Sequence, residues 1–342
     1  MLTRDFDYPL PPERIAQEPA KPRDSSRLLV LDRKDGSLEH RHFYDIGDYL
    51  QPGDLLVVNR SKVFKARLMG NGNIEIFLLR PKDNLWLALA KPGRKLKIGT
   101  EISFSDGSTC RVMEKLDDGT VALDFGESEQ EVLALTEKIG QVPTPPYIDR
   151  SVTARRDRTD AADYQTVYAK EVGSVAAPTA GFHFTPELIE KLKTQGIKFA
   201  EVILHVGLGT FRPIKTDTLE EHEMHEEWIE IPAETLELIE ETKKSNHRVI
   251  AVGTTTVRAL ESGIDRGFTR IFITPGYKFK VIDALITNFH LPKSTLIVLI
   301  SSFVGEHQAD SDWGRRTVLA AYNQAINDGY RFYSFGDAML IK

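Results

Sequence analysis

The chain has 342 residues, 41% of them hydrophobic and 27% charged, with a formal net charge of −6. That is the balance of an ordinary globular protein, long enough for two hydrophobic cores. No run reaches the ~18 apolar residues of a membrane span, the start lacks a signal peptide's basic and apolar stretches, and the lone Cys110 excludes an intramolecular disulfide or a cysteine zinc site. Together these features predict a cytoplasmic protein with no membrane partner.

In chain order, a proline-rich opening leads to two strand-like runs, Arg27–Leu31 and Asp54–Asn59. From about residue 61 to 148 the texture changes. Short alternating runs at 74–79, 85–89, 101–104, 109–112 and 121–125 are separated by Gly, Asn and Asp turns, the pattern of a small antiparallel barrel. A helix-like stretch, 129–139, closes this unit. The proline cluster Gln141–Tyr147 after it reads as a linker or a rigid ligand-contacting loop. Beyond about 150, predicted helices at 186–193, 232–245, 256–263 and 314–328 alternate with predicted strands at 202–205, 249–252, 271–274 and 296–300, with a further strand-like run at 282–286. The fold class expected is α/β: a discontinuous sheet domain flanked by helices, residues 1–60 and 149–342, with an inserted small antiparallel β-barrel domain at 61–148.

The charge is unevenly placed. Residues 217–241 hold eleven Asp or Glu and no Lys or Arg, so the remainder of the chain is net basic. Local clusters stand at Arg60, Lys62, Lys65 and Arg67, at Lys91, Arg94, Lys95 and Lys97, and at Arg150, Arg155, Arg156 and Arg158. Phosphate backbones respond to such patches more than to net charge, so the composition permits a polynucleotide partner.

Four polar loops carry more histidine, threonine and arginine than turning requires: 173–185, 205–213, 253–258 and 287–295. Three of them follow strand-like runs, and in open α/β sheets ligands bind where such carboxyl ends converge. Gly253-Thr-Thr-Thr-Val-Arg258 reads as a strand-to-helix turn fit for an anion, or as simple helix capping. His205-Val-Gly-Leu-Gly-Thr-Phe-Arg212 has two glycines but no third opening a helix, so a dinucleotide fingerprint is poorly matched. Its glycines would let backbone approach a ligand, with His205 and Arg212 facing it. His222-Glu-Met-His225 lacks the zincin spacing and an evident third ligand, so general-base or hydrogen-bonding roles are the better reading and no metal site is expected. Tyr164, Gln165 and Tyr168 would share a helix face, either as core or as a purine-stacking surface.

These residues resemble the S-adenosylmethionine:tRNA ribosyltransferase-isomerase family of queuosine biosynthesis over essentially the whole chain. The matching segments are 164–169, 173–181, 205–213, 222–226, 251–258 and 287–295, in that order. The resemblance implies transfer of the ribosyl part of S-adenosylmethionine to the aminomethyl group of 7-aminomethyl-7-deazaguanine at the tRNA wobble position. The products would be epoxyqueuosine-tRNA, adenine and methionine, with S-adenosylmethionine a co-substrate and no cofactor. Two positions depart from the usual pattern: Lys62 stands for an arginine, losing its planar bidentate reach, and Phe182 for a leucine.

Residue type and loop position suggest roles. His205 or His183 would be the base and the other a leaving-group partner. Asn288 and His290 would position ribose or base, and Thr254, Thr255 and Arg258 would bind the methionine carboxylate. Thr179, Arg212, Tyr164, Gln165, His222 and His225 complete the expected substrate contacts. Lys62, Lys65, Arg67, Arg150, Arg155 and Arg156 would meet tRNA, bound by a monomer. Without the resemblance, a nucleoside or sugar-phosphate transferase or a non-catalytic RNA-binding module would be the competing readings.

Overall fold

The computed structural model describes residues 1–145, 147–148, 160–207 and 213–342. Strands β1 (Arg27–Leu31), β2 (Leu38–His42) and β3 (Leu55–Asn59) come first, followed by β4 (Ser61–Val63). Next are β5 (Arg67–Gly70), β6 (Ile74–Lys82), β7 (Leu85–Lys91), β8 (Glu101–Ser103), β9 (Thr109–Lys115) and β10 (Val121–Asp124). Then come β11 (Glu171–Ser174), β12 (Lys198–Leu204), β13 (Glu227–Glu230), β14 (Val249–Val252), β15 (Arg266–Thr269), β16 (Ala284–Asn288) and β17 (Ala338–Ile341). The main helices are α1 (Glu129–Ile139), α2 (Pro186–Thr194), α3 (Ala233–Lys244), α4 (Thr254–Glu261), α5 (Thr295–Gly305) and α6 (Trp313–Asn327).

Nine strands form one sheet in the order β15-β13-β12-β3-β14-β16-β17-β1-β2. Its centre, β12, β3, β14 and β16, is parallel, so four carboxyl ends lie along one edge. Strand β17 runs antiparallel to β16, which brings its start to that same edge, and β1 lies parallel to β17. All of β3 is buried, as a strand covered on both faces must be. Its alternation sends Leu55 and Val57 into one core with Val202 and Ala251, and Leu56 and Val58 into another with Phe184, Leu188 and Ile250.

The chain leaves this sheet after β3 and rejoins it at β12. In between, β5-β6-β7-β10-β9-β8 form an antiparallel sheet, and a bridge between Gly70 and Phe104 brings its two edges together into a nearly closed barrel. The barrel has its own core, including Leu68, Ile76, Trp86 and Val112, on which Val132 of α1 packs. A capping box between Ser128 and Glu131 starts α1.

Three local expectations give way. Residues 296–300 lie in helix α5, whose residues Thr295 to Val304 are all buried. A helix apolar all round shows no amphipathic period, and its start is marked by Ser294, whose hydroxyl accepts from the Ile297 N–H. Residues 271–274 are loop, because the pairing with β13 falls earlier, at 266–269, while Ile273 is buried in the core. The stretch 160–168 is helical only through Asp163, so Tyr164 and Tyr168 do not share a helix face. Tyr164 instead buries itself against Phe182 and Phe335.

Candidate active site

The carboxyl edge of the parallel strands carries a pocket. Thr254 and Thr255 reach it from the β14–α4 turn, Thr287, Asn288 and His290 from the end of β16, Thr179 and Ala180 from the loop after β11, and Tyr147, Tyr333 and Ser334 close it. The loops leave a partly open cleft between them, about 560 Å³ when the space shared with solvent is counted. Five expected residues, Thr179, Thr254, Thr255, Asn288 and His290, are thereby brought together. Among the described lining residues none is charged.

Local chemistry explains the arrangement. Gly253 turns the chain from β14 into α4 at φ +91°, a conformation costly for other residues. The first turn of α4 then presents backbone N–H groups beside two threonine hydroxyls. Buried Asn59, at the end of β3, knits the edge together. Its amide donates to the Leu204 carbonyl at 2.9 Å and accepts from the Leu204 N–H at 3.2 Å.

Asn288 is held from three sides. Its amide nitrogen donates to His183 Nε2 at 3.1 Å and to the Tyr333 carbonyl at 3.3 Å, and its oxygen accepts from Thr179 Oγ1 at 3.3 Å. That makes His183 Nε2 an acceptor, leaving Nδ1–H to donate to Ser26 Oγ at 2.7 Å. Burial pushes the His183 ring down to about 4. His183 therefore stands behind the pocket, neutral and engaged at both nitrogens. His290 bonds Thr287 Oγ1 through Nε2 at 2.8 Å, and burial pushes it down to about 3.

His205 follows β12, directly before pocket-lining Val206. Its ring fills the space above Gly173, where a Cβ would come within 2.6 Å of it. Burial pushes it down to about 4, and buried Nδ1 has no hydrogen-bond partner among the described residues. The β4–β11 ladder and the Ser174 hydroxyl, which accepts from the Val206 N–H at 2.9 Å, fix this segment.

The other expected residues lie elsewhere. Arg258, buried inside α4, pairs with buried Glu227, while its Nε and Nη2 have no partner among the described residues. Gln165 uses its side-chain amide on both the N–H and the carbonyl of Val63, at 3.1 and 2.7 Å. His222 packs on Phe272, and among the described residues no third ligand joins it and His225. Of the basic residues, Lys62 is exposed, Lys65 faces Glu137 at 3.3 Å, and Arg67 faces Glu75 at 2.7 Å. Arg150, Arg155, Arg156 and Arg212 lie outside the described residues.

Sequence reasoning did not single out Tyr147, Tyr333, Ser334, Ser26 or Glu227. Only Tyr147 had a signal, the proline cluster that it ends. Tyr147 donates to or accepts from Ser334 Oγ at 2.6 Å, and its ring lies 4.6 Å from that of Tyr333.

Comparison with known proteins places this edge in context. A family model described as queuosine biosynthesis protein matches residues 3–341. The chain is 51% identical over 351 residues to the S-adenosylmethionine:tRNA ribosyltransferase-isomerase of Sulfurihydrogenibium sp. (strain YO3AOP1), covering 100% of both chains. It is 50% identical over 354 residues to the protein of the same name from Thermotoga maritima, again covering 100% of both. The crystal structure of S-adenosylmethionine tRNA ribosyltransferase from Thermotoga maritima aligns with a TM-score of 0.56 and 41% identity, covering 99% of this chain and 100% of that one. With matches of this extent, the chain belongs to the queuosine biosynthesis protein family.

Proposed function

We propose that this chain transfers and isomerises the ribosyl moiety of S-adenosylmethionine onto 7-aminomethyl-7-deazaguanine at the tRNA wobble position, releasing adenine and methionine and leaving epoxyqueuosine-tRNA. The observation that carries the reading is that the described lining of the pocket at the strand ends is uncharged, small polar groups set among apolar ones. A sulfonium seated there meets no carboxylate among the described lining residues to offset its charge, so it acidifies the adjacent C5′ protons more strongly than it would in water. Burial also favours the neutral, nucleophilic form of the incoming amine.

His205 is the base in this scheme. Held well below neutrality, its ring is unprotonated, and its buried Nδ1, without a hydrogen-bond partner among the described residues, would take the C5′ proton. His183 acts one step removed, as a positioning residue for Asn288. Asn288 and His290 orient ribose and the departing adenine, which needs a proton or hydrogen bond as it leaves. Thr254 and Thr255 serve the methionine carboxylate directly, and Arg258, buried in the same helix and paired with Glu227, acts on it at one remove. The steps are proton transfers and displacements at carbon, so S-adenosylmethionine enters as co-substrate and no electron carrier is involved. Residues 1–60 and 149–342 form the catalytic unit and 61–148 the insert, with exposed Lys62 among the cations that would meet tRNA phosphate. We assign the activity to a cytoplasmic monomer; among the described residues no helix is long and apolar enough to cross a membrane.

Incubation with S-adenosylmethionine and tRNA carrying the aminomethyl base should release one adenine per modified tRNA, and tRNA lacking that base should release none. Absence of adenine at saturating concentrations of both substrates would overturn the proposal. His205→Ala should abolish turnover while the protein still binds S-adenosylmethionine.

A further inference from the structure

We infer that the aromatic wall made by Tyr147 and Tyr333 seats the purine of S-adenosylmethionine, so that the donor lies across the sheet edge with its methionine end at the β14–α4 turn. This rests on the donor assignment above and gives it an orientation. The two rings meet with centroids 4.6 Å apart and planes 51° apart, and both line the pocket. They offer aromatic faces on which a purine can stack, and every other described wall of the pocket is aliphatic or a small polar group apart from His290 and Phe289.

Tyr333 has φ +70°, left-handed backbone that a tyrosine rarely adopts. Three hydrogen bonds hold it there. Its N–H donates to the Phe289 carbonyl at 3.1 Å, and its carbonyl accepts from Gly336 N–H at 3.0 Å and from Asn288 at 3.3 Å. Strain over-determined in this way is typical of a residue held in place for a ligand. The same strand end thus carries the aromatic wall and Asn288.

Strand β16 stands between β14 and β17, so the first turn of α4, after β14, and Tyr333, before β17, reach the pocket from strands on either side of the one that carries Asn288, with His290 just beyond it. A purine on the tyrosine wall therefore leaves the charged methionine end facing the first turn of α4, where backbone N–H groups favour a carboxylate. The reverse placement would set that carboxylate against aromatic faces and leave the N–H groups unmet.

The test is calorimetric binding without tRNA, using 5′-methylthioadenosine, which lacks the amino-acid part, and S-adenosylhomocysteine, which has it. Tyr147→Leu and Tyr333→Asn, the latter chosen because asparagine tolerates the left-handed backbone, should each weaken both probes about tenfold. Tyr147→Phe, which keeps the ring, should restore binding to within about twofold of the unaltered protein. Thr254→Ala should weaken S-adenosylhomocysteine and leave 5′-methylthioadenosine unchanged. If Tyr147→Leu binds both probes as the unaltered protein does and instead raises the KM for tRNA, the wall takes the tRNA base and the inference falls. If the unaltered protein binds neither probe, the donor assignment itself falls with it. Thermal melts identify an unfolded variant, and should Tyr333→Asn be one, Tyr147→Leu, altered in a loop, decides alone.

Discussion

Folding stability should fall steeply below neutral pH because histidines are buried as neutral rings, His183 and His290 most completely. His183 is held at about 4 and His290 at about 3, both by burial, against about 6.5 in an unfolded chain. Above pH 7 folded and unfolded chains bind the same protons at these sites, and the full stability is present. As pH drops below 6.5 the unfolded rings take up protons that the folded rings refuse, so the unfolded state gains. At pH 5 each site has cost about 2 kcal/mol, about 4 kcal/mol together, a large part of the ~5–15 kcal/mol that a folded protein holds. The loss levels off near pH 4 for His183 and near pH 3 for His290. Urea unfolding at pH 7 and pH 5 measures it, and comparison with the double variant His183→Gln, His290→Gln cancels the contribution of carboxylates. The double variant should start less stable but lose about 4 kcal/mol less between the two pH values. Equal losses in both proteins, or imidazole signals titrating near 6.5 in the folded protein, would refute the reasoning. The same neutrality serves the proposed chemistry, because a base held at about 4 needs no deprotonation at physiological pH.

Other perturbations separate structural from functional roles. Glu227→Ala strands the Arg258 charge in the interior and should cost about 3–5 kcal/mol, read by denaturant unfolding; a cost below about 1 kcal/mol would mean that water already reaches the pair. Gln165→Ala should cost about 1–3 kcal/mol through the lost bonds to Val63 while leaving the KM for tRNA within about twofold; unchanged stability with a raised KM would return Gln165 to the binding surface. Lys62→Ala should lower the salt slope of tRNA binding by about one, whereas Lys65→Ala, already paired with Glu137, should change it less. Equal effects would show that the Glu137 pair does not compete with phosphate. Arg258→Gln should raise the S-adenosylmethionine KM about tenfold, and an unchanged KM would remove Arg258 from carboxylate binding.

Much of the architecture was legible along the chain because it is local. Period-two alternation with glycine and asparagine turns marked the barrel strands, and helix-like stretches at 129–139 and 186–193 marked α1 and α2. Continuous apolar runs marked β3 and β14, which are buried on both faces. The same continuity hid α5, since a helix buried on every side and a buried strand present the same string of apolar residues. The glycine-, threonine- and histidine-bearing loops stood out by composition, and Thr179, Thr254, Thr255, Asn288 and His290 do share one pocket.

What each of those side chains faces depended on residues far away in the chain. His183 and His205 look equivalent as sequence, two loop histidines of a polar motif. One is clamped between Ser26 and Asn288, 157 and 105 residues distant, while the other, beside Gly173, keeps a nitrogen unpartnered among the described residues. Likewise Tyr147 and Tyr333 became one wall only because β16 and β17 bring the C-terminal segment back to the strand ends. Composition and periodicity determined which elements form and which loops are rich in reactive groups, because both follow from neighbours in the chain. Burial, hydrogen-bond partners and proton affinity were decided by the packing of distant segments, which alone sets the solvent and the charges around each group.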